Sequence, residues 1–169
     1  MKKTLATALA FYLTLSLCDA LAQQTQDIQA ITNEISFEAQ KVLIGDTGLA
    51  VSLPEDWSAG EPLEGTLAVY YAADGSAALS FSLLDATMDD IWKQCFAAAE
   101  SCLGAHLAEA YVNDAYYLFY SAPLQTAAYL ALADDTVLVF TFDYASVEAS
   151  GSSPALEIIG SIHETQLSR

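Results

Sequence analysis

Residues 48–57 read GLAVSLPEDW: Leu49, Val51 and Leu53 alternate with Ala50 and Ser52 until Pro54 interrupts the run. Successive side chains on a strand point to opposite faces, so the alternation describes a strand with Leu49, Val51 and Leu53 turned to the core. Pro54 has no N–H to give to a ladder and ends it, and Glu55 and Asp56 form a turn into Trp57. Just upstream, KVLI is a second short strand, reached through the turn residues Gly45-Asp46-Thr47-Gly48.

Working outward, TLAVYYA and SAALSFSLL flank Ala73-Asp74-Gly75, and Asp-Gly between alternating runs is a strong hairpin signal. Leu79, Phe81 and Leu83 are expected inside. DATMDDIWKQCFAAAESCLG then changes period to that of a helix. Thr87 is its N-cap, Asp89 and Asp90 sit where the helix dipole favours anions, and Gly104 lies just past the end. Met88, Ile91, Trp92, Cys95, Ala99 and Cys102 fall on its apolar face. Four more strands follow, AHLAEAYV, DAYYLFYSA, QTAAYLALA and TVLVFTFDY, the last after an Asp134-Asp135 turn. ASVEASGSS is a loop. SSPALEIIGSIHE is a closing helix with a serine N-cap, Pro154 at its first position and Ala155, Ile158, Ile159 and Ile162 on one face. Strands first paired locally and then interrupted by one helix define an α+β domain with an antiparallel sheet of about six to seven strands and two main helices.

Three pieces, GLAVSLPEDW, VLVFTFDY and ALEIIGSI, together with the order of elements, resemble the PsbP-like family. That resemblance spans roughly residues 42–162 and implies an α/β/α sandwich. It also implies a role in docking to other proteins, as photosystem II extrinsic members do; many exported bacterial members have no assigned function. No partner-binding or metal-binding residue of the family maps onto a position of this chain.

The N-terminus carries Lys2 and Lys3, an apolar run from Leu5 to Leu17, and Ala20-Leu21-Ala22, which together make a secretory signal peptide over residues 1–22. The expected organisation is this leader, a linker or loose helix over 23–38, and a single domain over 39–169, exported to the periplasm or secreted. Leu17 stands before Cys18 where a lipid-attachment box calls for a small residue, which argues against lipoprotein anchoring. No later apolar run reaches the ~18 residues of a membrane span. Beyond residue 22 the cations are Lys41, Lys93 and Arg169, in a chain whose net charge is −17. Such a surface repels phosphates and anionic headgroups, which excludes nucleic-acid binding; it leaves cationic partners, divalent ions or a cationic polymer open, while dispersed acids that keep an apolar-rich secreted protein soluble account for the charge on their own.

Catalytic signals are sparse. Nucleophilic catalysis needs a base beside the nucleophile, and His106 and His163 lie in no recognisable signature. A small hydrolase or ligand-binding site around His106 and Cys102 is the alternative to an interaction domain. Cys95 and Cys102, seven residues apart on one helix, are too far apart along its axis to bridge while that helix persists, so two apolar-face thiols are expected rather than a disulfide. Asp89-Asp90 and Asp134-Asp135 serve as cap and turn residues, and no metal or cofactor is expected. Tyrosine is the unusual feature, with 9 in the chain. Tyr116 and Tyr120 share a strand face, Tyr129 sits on the next strand and Tyr144 ends the fourth. Amphipathic rings suit contact surfaces, and these four with Trp57 are the expected binding residues for another envelope or secreted protein.

Overall fold

The computed structural model describes residues 35–112, 115–133 and 135–165. The leader, Cys18, most of the 23–38 segment and Asp134 lie outside the described residues. The chain begins with β1 (Ala39–Leu43) and β2 (Leu49–Pro54), paired antiparallel with Val42 opposite Val51. Gly45 and Gly48 close the hairpin at φ of 51° and 75°, where a side chain would be strained. Thr47 Oγ1 donates to the Ile44 carbonyl at 2.7 Å across the turn. The turn after Pro54 is held from β1, because the Gln40 side-chain amide donates to the carbonyls of Pro54 (3.0 Å) and Trp57 (2.6 Å).

β3 (Ser58–Ala59), β4 (Ala68–Tyr71) and β5 (Ala77–Asp85) form an antiparallel meander. α1 (Met88–Ser101) then carries the chain across to the far edge of the sheet. From there β6 (His106–Val112), β7 (Ala115–Ala122), β8 (Gln125–Ala133) and β9 (Thr136–Tyr144) step back until β9 pairs with β5. The resulting 7-stranded sheet has the order β3-β4-β5-β9-β8-β7-β6. α2 (Val147–Gly151) and α3 (Ala155–Gly160) follow, and β10 (His163–Glu164) joins β2 to make a second sheet of 3 strands in the order β1-β2-β10. The fold class is therefore α+β, with two sheets where one is expected from the sequence and a third, short helix in place of the ASVEASGSS loop.

Alternation along the large sheet divides its side chains between two cores. Leu118 and Tyr129 are directly opposite, as are Tyr129 and Val139, so these residues share a face; Val137 joins them, and Ile91 and Cys95 of α1 pack there. The other face carries Leu79, Phe81, Leu138, Phe140 and Phe142, all at 0% exposure. Its rings meet edge to face, Phe81 and Phe140 with centroids 5.3 Å apart at 84°. Since α1 lies on the first face, the second is sealed by the small sheet and the closing helices, which contribute the equally buried Val51, Leu53, Ile158 and Ile159.

Four expectations need correction. Ala50 and Ser52 are buried along with Val51 and Leu53, because α3 packs on β2 and the Ser52 amide donates to Ser161 Oγ at 2.8 Å. Leu83 is 39% exposed, lying toward the end of β5 beyond the core. In α1 only Ile91 and Cys95 are buried, and Trp92 turns outward. Pro154 is the cap of α3 rather than its first residue, and Ser153 Oγ accepts from the Ala155 amide at 3.2 Å. Before β1, the Ser36 amide donates to Glu157 Oε2 at 2.6 Å, tying the start of the domain to α3. Among the described residues no helix is long and apolar enough to cross a membrane.

Candidate functional site

α1 is set by local chemistry. Thr87 Oγ1 accepts from the Asp90 amide at 3.2 Å and donates to the Asp90 carboxylate at 2.8 Å, closing a reciprocal cap. That hydroxyl, with the Lys93 ammonium 3.5 Å away, holds the Asp90 carboxyl below its ordinary value. With Ile91 and Cys95 pinned to the sheet, Trp92 and Phe96 one position further on emerge at the side of the helix. Their rings stack with centroids 5.1 Å apart and planes 11° from parallel, each about two-fifths exposed.

Two recesses flank the helix. The first, about 340 Å³, is lined by Gln94, Cys95, Tyr120, Gln125 and Tyr129 among others. The Tyr129 hydroxyl lies beside the Cys95 thiol, and the Tyr120 hydroxyl beside that of Cys102. Burial pushes the Cys95 thiol up, against the smaller opposing effect of the Tyr129 hydroxyl, and burial likewise raises Tyr120 and Tyr129. A thiol held neutral in this way is a poor nucleophile, and the recess offers two neutral hydroxyls and apolar walls rather than a reacting group.

The second recess, about 460 Å³, is lined by Met88, Asp89, Trp92, Glu109, Tyr111 and Tyr116. Three elements build it. The first turn of α1 supplies Asp89 and Trp92, while the edge strand β6 supplies Glu109 and Tyr111. Tyr116 of β7 stands directly opposite Tyr111. The two tyrosine rings lie 5.6 Å apart at 60°, and the Tyr116 hydroxyl donates to Glu109 Oε1 at 2.7 Å. Burial, the Glu109 acceptor and the negative charges of Glu109 and Asp89 push Tyr116 up to about 12, so it stays a neutral donor at physiological pH. Tyr111 is 76% exposed.

The sequence-derived candidates divide accordingly. Tyr116, Tyr120 and Tyr129 share the α1 face and are half-buried beside the helix. Tyr144, at 7% exposure, lies on the opposite face in the core, and Trp57 is buried at 6%. Neither contributes to an exposed surface. His106 and Cys102 are likewise separated: Leu107 opposes Tyr120, so His106 alternates to the other face from the tyrosine that lies beside Cys102. His163 is exposed, its Nδ1 2.9 Å from the Ser161 carbonyl. Cys95 and Cys102 are both unpaired, and no group of three or more His, Cys, Asp or Glu among the described residues could hold a metal ion.

Phe96, Tyr111 and Glu109 carry no expectation from the sequence, and Trp92 and Asp89 are expected there only as a core-facing and a first-turn residue of the helix. The four-residue spacing of Trp92 and Phe96, displaced by one from Ile91 and Cys95, is the signal that marks a second, outward stripe.

An α-helix on one face of an antiparallel sheet and a small sheet with short helices on the other is the PsbP-like fold. Among solved structures it is similar to the solution structure of CyanoP, the cyanobacterial PsbP of Synechocystis, with a TM-score of 0.52 and 13% identity over 78% of this chain and 95% of that one. A crystal structure from Bacteroides thetaiotaomicron gives a TM-score of 0.51 and 15% identity, covering 79% of this chain and 51% of that one, so the chain spans about half of that protein's length. No protein-family model matches the sequence, and no curated protein matches it. At these identities the likeness is one of fold.

Proposed function

We propose that the chain is an exported, non-enzymatic interaction domain that docks onto another envelope or secreted protein through the aromatic surface at the side of α1. The observation that carries this reading is the Trp92–Phe96 stack, two large rings held against each other and open to solvent. Exposed paired aromatics of this kind are the anchors of protein interfaces, where they deliver contact area at small entropic cost. Tyr111 extends the surface onto β6. The docking role that the PsbP-like resemblance implies agrees with it.

Export rests on the leader over residues 1–22, with the mature chain starting at Gln23. The net charge of −17 directs the domain away from nucleic acid. Intact mass of the protein recovered from outside the cytoplasm is expected to correspond to a Gln23 start. Affinity capture from the native envelope with the mature domain, repeated with Trp92→Ala/Phe96→Ala, tests the surface. Loss of a specific partner in the double variant is the expected result; a partner captured equally by both proteins would refute the surface.

A further inference from the structure

The recess between α1 and the β6 edge has a chemistry that the docking role alone does not explain. Its walls include the rings of Trp92, Tyr111 and Tyr116, and its rim carries the carboxylates of Asp89 and Glu109. Tyr111 and Tyr116 both line it and meet at 60° rather than stacking flat on each other. Ring faces carry negative electrostatic potential and attract ammonium and guanidinium groups. Neither carboxylate has an ion-pair partner among the described residues. The described cations are Lys41 and Lys93, and the latter sits 3.5 Å from Asp90. Tyr116 keeps Glu109 in place through its 2.7 Å hydrogen bond without neutralising it. This negative, aromatic-walled hollow opens next to the Trp92–Phe96 stack in a chain with 22 carboxylates and 5 cationic side chains.

Resting on the docking role above, we propose that this recess receives an arginine or lysine side chain from a basic segment of the partner, its charge against the Trp92, Tyr111 and Tyr116 rings and its N–H groups directed to Asp89 and Glu109. The volume, about 460 Å³, admits one long side chain, and the adjoining stack gives the flanking residues of the segment an apolar bed. A planar guanidinium satisfies both demands at once, lying flat on a ring while donating in its plane to carboxylates.

The test titrates the full mature chain with an end-blocked Gly-Arg-Gly-Arg-Gly peptide and its glutamine counterpart. It is run near physiological salt to suppress diffuse attraction, with the Trp92 indole N–H followed by NMR. Saturable binding of the arginine peptide and none of the glutamine peptide is expected. Tyr111→Ala leaves the net charge untouched and should weaken binding about fivefold, the size of a partly exposed cation–ring contact. Glu109→Gln should weaken it similarly, whereas Glu64→Gln, the same charge change on an exposed loop elsewhere, should not. Thermal melts confirm that the variants fold, as the 76% exposure of Tyr111 leads one to expect. Equal effects of Glu109→Gln and Glu64→Gln, or indifference to Tyr111→Ala, would reduce the attraction to bulk charge and overturn the proposal. So would free guanidinium ion binding as tightly as the peptide, since the recess would then serve a small ion. Partner capture separates the two readings: if Trp92→Ala/Phe96→Ala abolishes it while Tyr111→Ala and Glu109→Gln leave it intact, the docking surface stands and the cation recess falls.

Discussion

Tyr117 and Tyr116 are neighbours in sequence and face opposite ways, and their hydroxyls show what each face is for. Tyr116 spends its proton on Glu109 at the rim of a recess. Tyr117 is 2% exposed in the second core, where burial alone pushes it up to about 12. In the unfolded chain a tyrosine ionises near 10. Folding therefore keeps Tyr117 neutral over the interval in which the unfolded chain has already lost its proton. The stability this supplies is complete below about pH 10 and is lost as pH rises toward 12, at about 1.4 kcal/mol per pH unit. Tyr117→Phe should flatten that alkaline loss relative to the parent, as read from urea unfolding at stepped pH; an unchanged slope would mean that Tyr117 does not carry it. Tyr144 and Trp57, expected at a binding surface, are buried for a related reason. Tyrosine and tryptophan suit interfaces and interiors alike, and only whether another element of the fold covers that face decides which applies.

At the scale of elements, α1 is the piece whose two sides do different work. Ile91 is buried in a cluster with Leu118, Val137 and Val139, so Ile91→Ala should cost about 2–4 kcal/mol through lost burial and the cavity left behind. Trp92→Ala, on the exposed side, should cost less than about 1 kcal/mol despite deleting a larger ring. Paired chemical denaturation curves decide this, and a Trp92 cost matching that of Ile91 would show the stack to be structural rather than reserved for a partner. Much of this level was legible beforehand: the hairpin at Asp74-Gly75, the Thr87 cap, and each of the strands from β6 to β9 follow from period and turn chemistry. The side of the helix that faces solvent was less so. Met88, Ile91, Trp92 and Cys95 form a plausible single stripe on a helical wheel, and what splits them is the narrow footprint of a helix resting on a flat sheet. The two-residue strands β3 and β10 carry no periodicity at all, being paired only because longer neighbours β4 and β2 present them an edge. α2 is similarly short, started by Ser146, whose hydroxyl accepts from the Ala149 amide at 3.2 Å.

For the whole molecule, charge is the property that composition states outright and that the fold leaves uncompensated. A single ion pair, Lys93–Asp90, is found among the described residues, and both partners are largely exposed. Like charges this dense repel one another across the surface, and added salt shortens their reach from ~30 Å at 0.01 M to ~10 Å at 0.1 M. Raising NaCl over that range should lift the melting temperature by a few degrees, as for a gain of about 1 kcal/mol in a domain of this size; a fall would indicate that attractive pairs dominate. The division of the α+β domain into a large and a small sheet was not readable, because the pairing of β2 with β10 joins residues more than a hundred positions apart, beyond the reach of any local pattern. The Ser36–Glu157 bond spans 121 positions and belongs to the same closure.

That closure also sets an order of events during synthesis. The β1–β2 hairpin leaves the ribosome about a hundred residues before its permanent neighbours, α3 packed on β2 and His163 of β10 paired with Ala50. Until they arrive, Val51 and Leu53 have no native cover from those segments, while β6 to β9 can assemble by short-range pairing as they emerge. The β1–β2 hairpin thus waits, unsheltered, for a segment more than a hundred positions downstream that locks it in place.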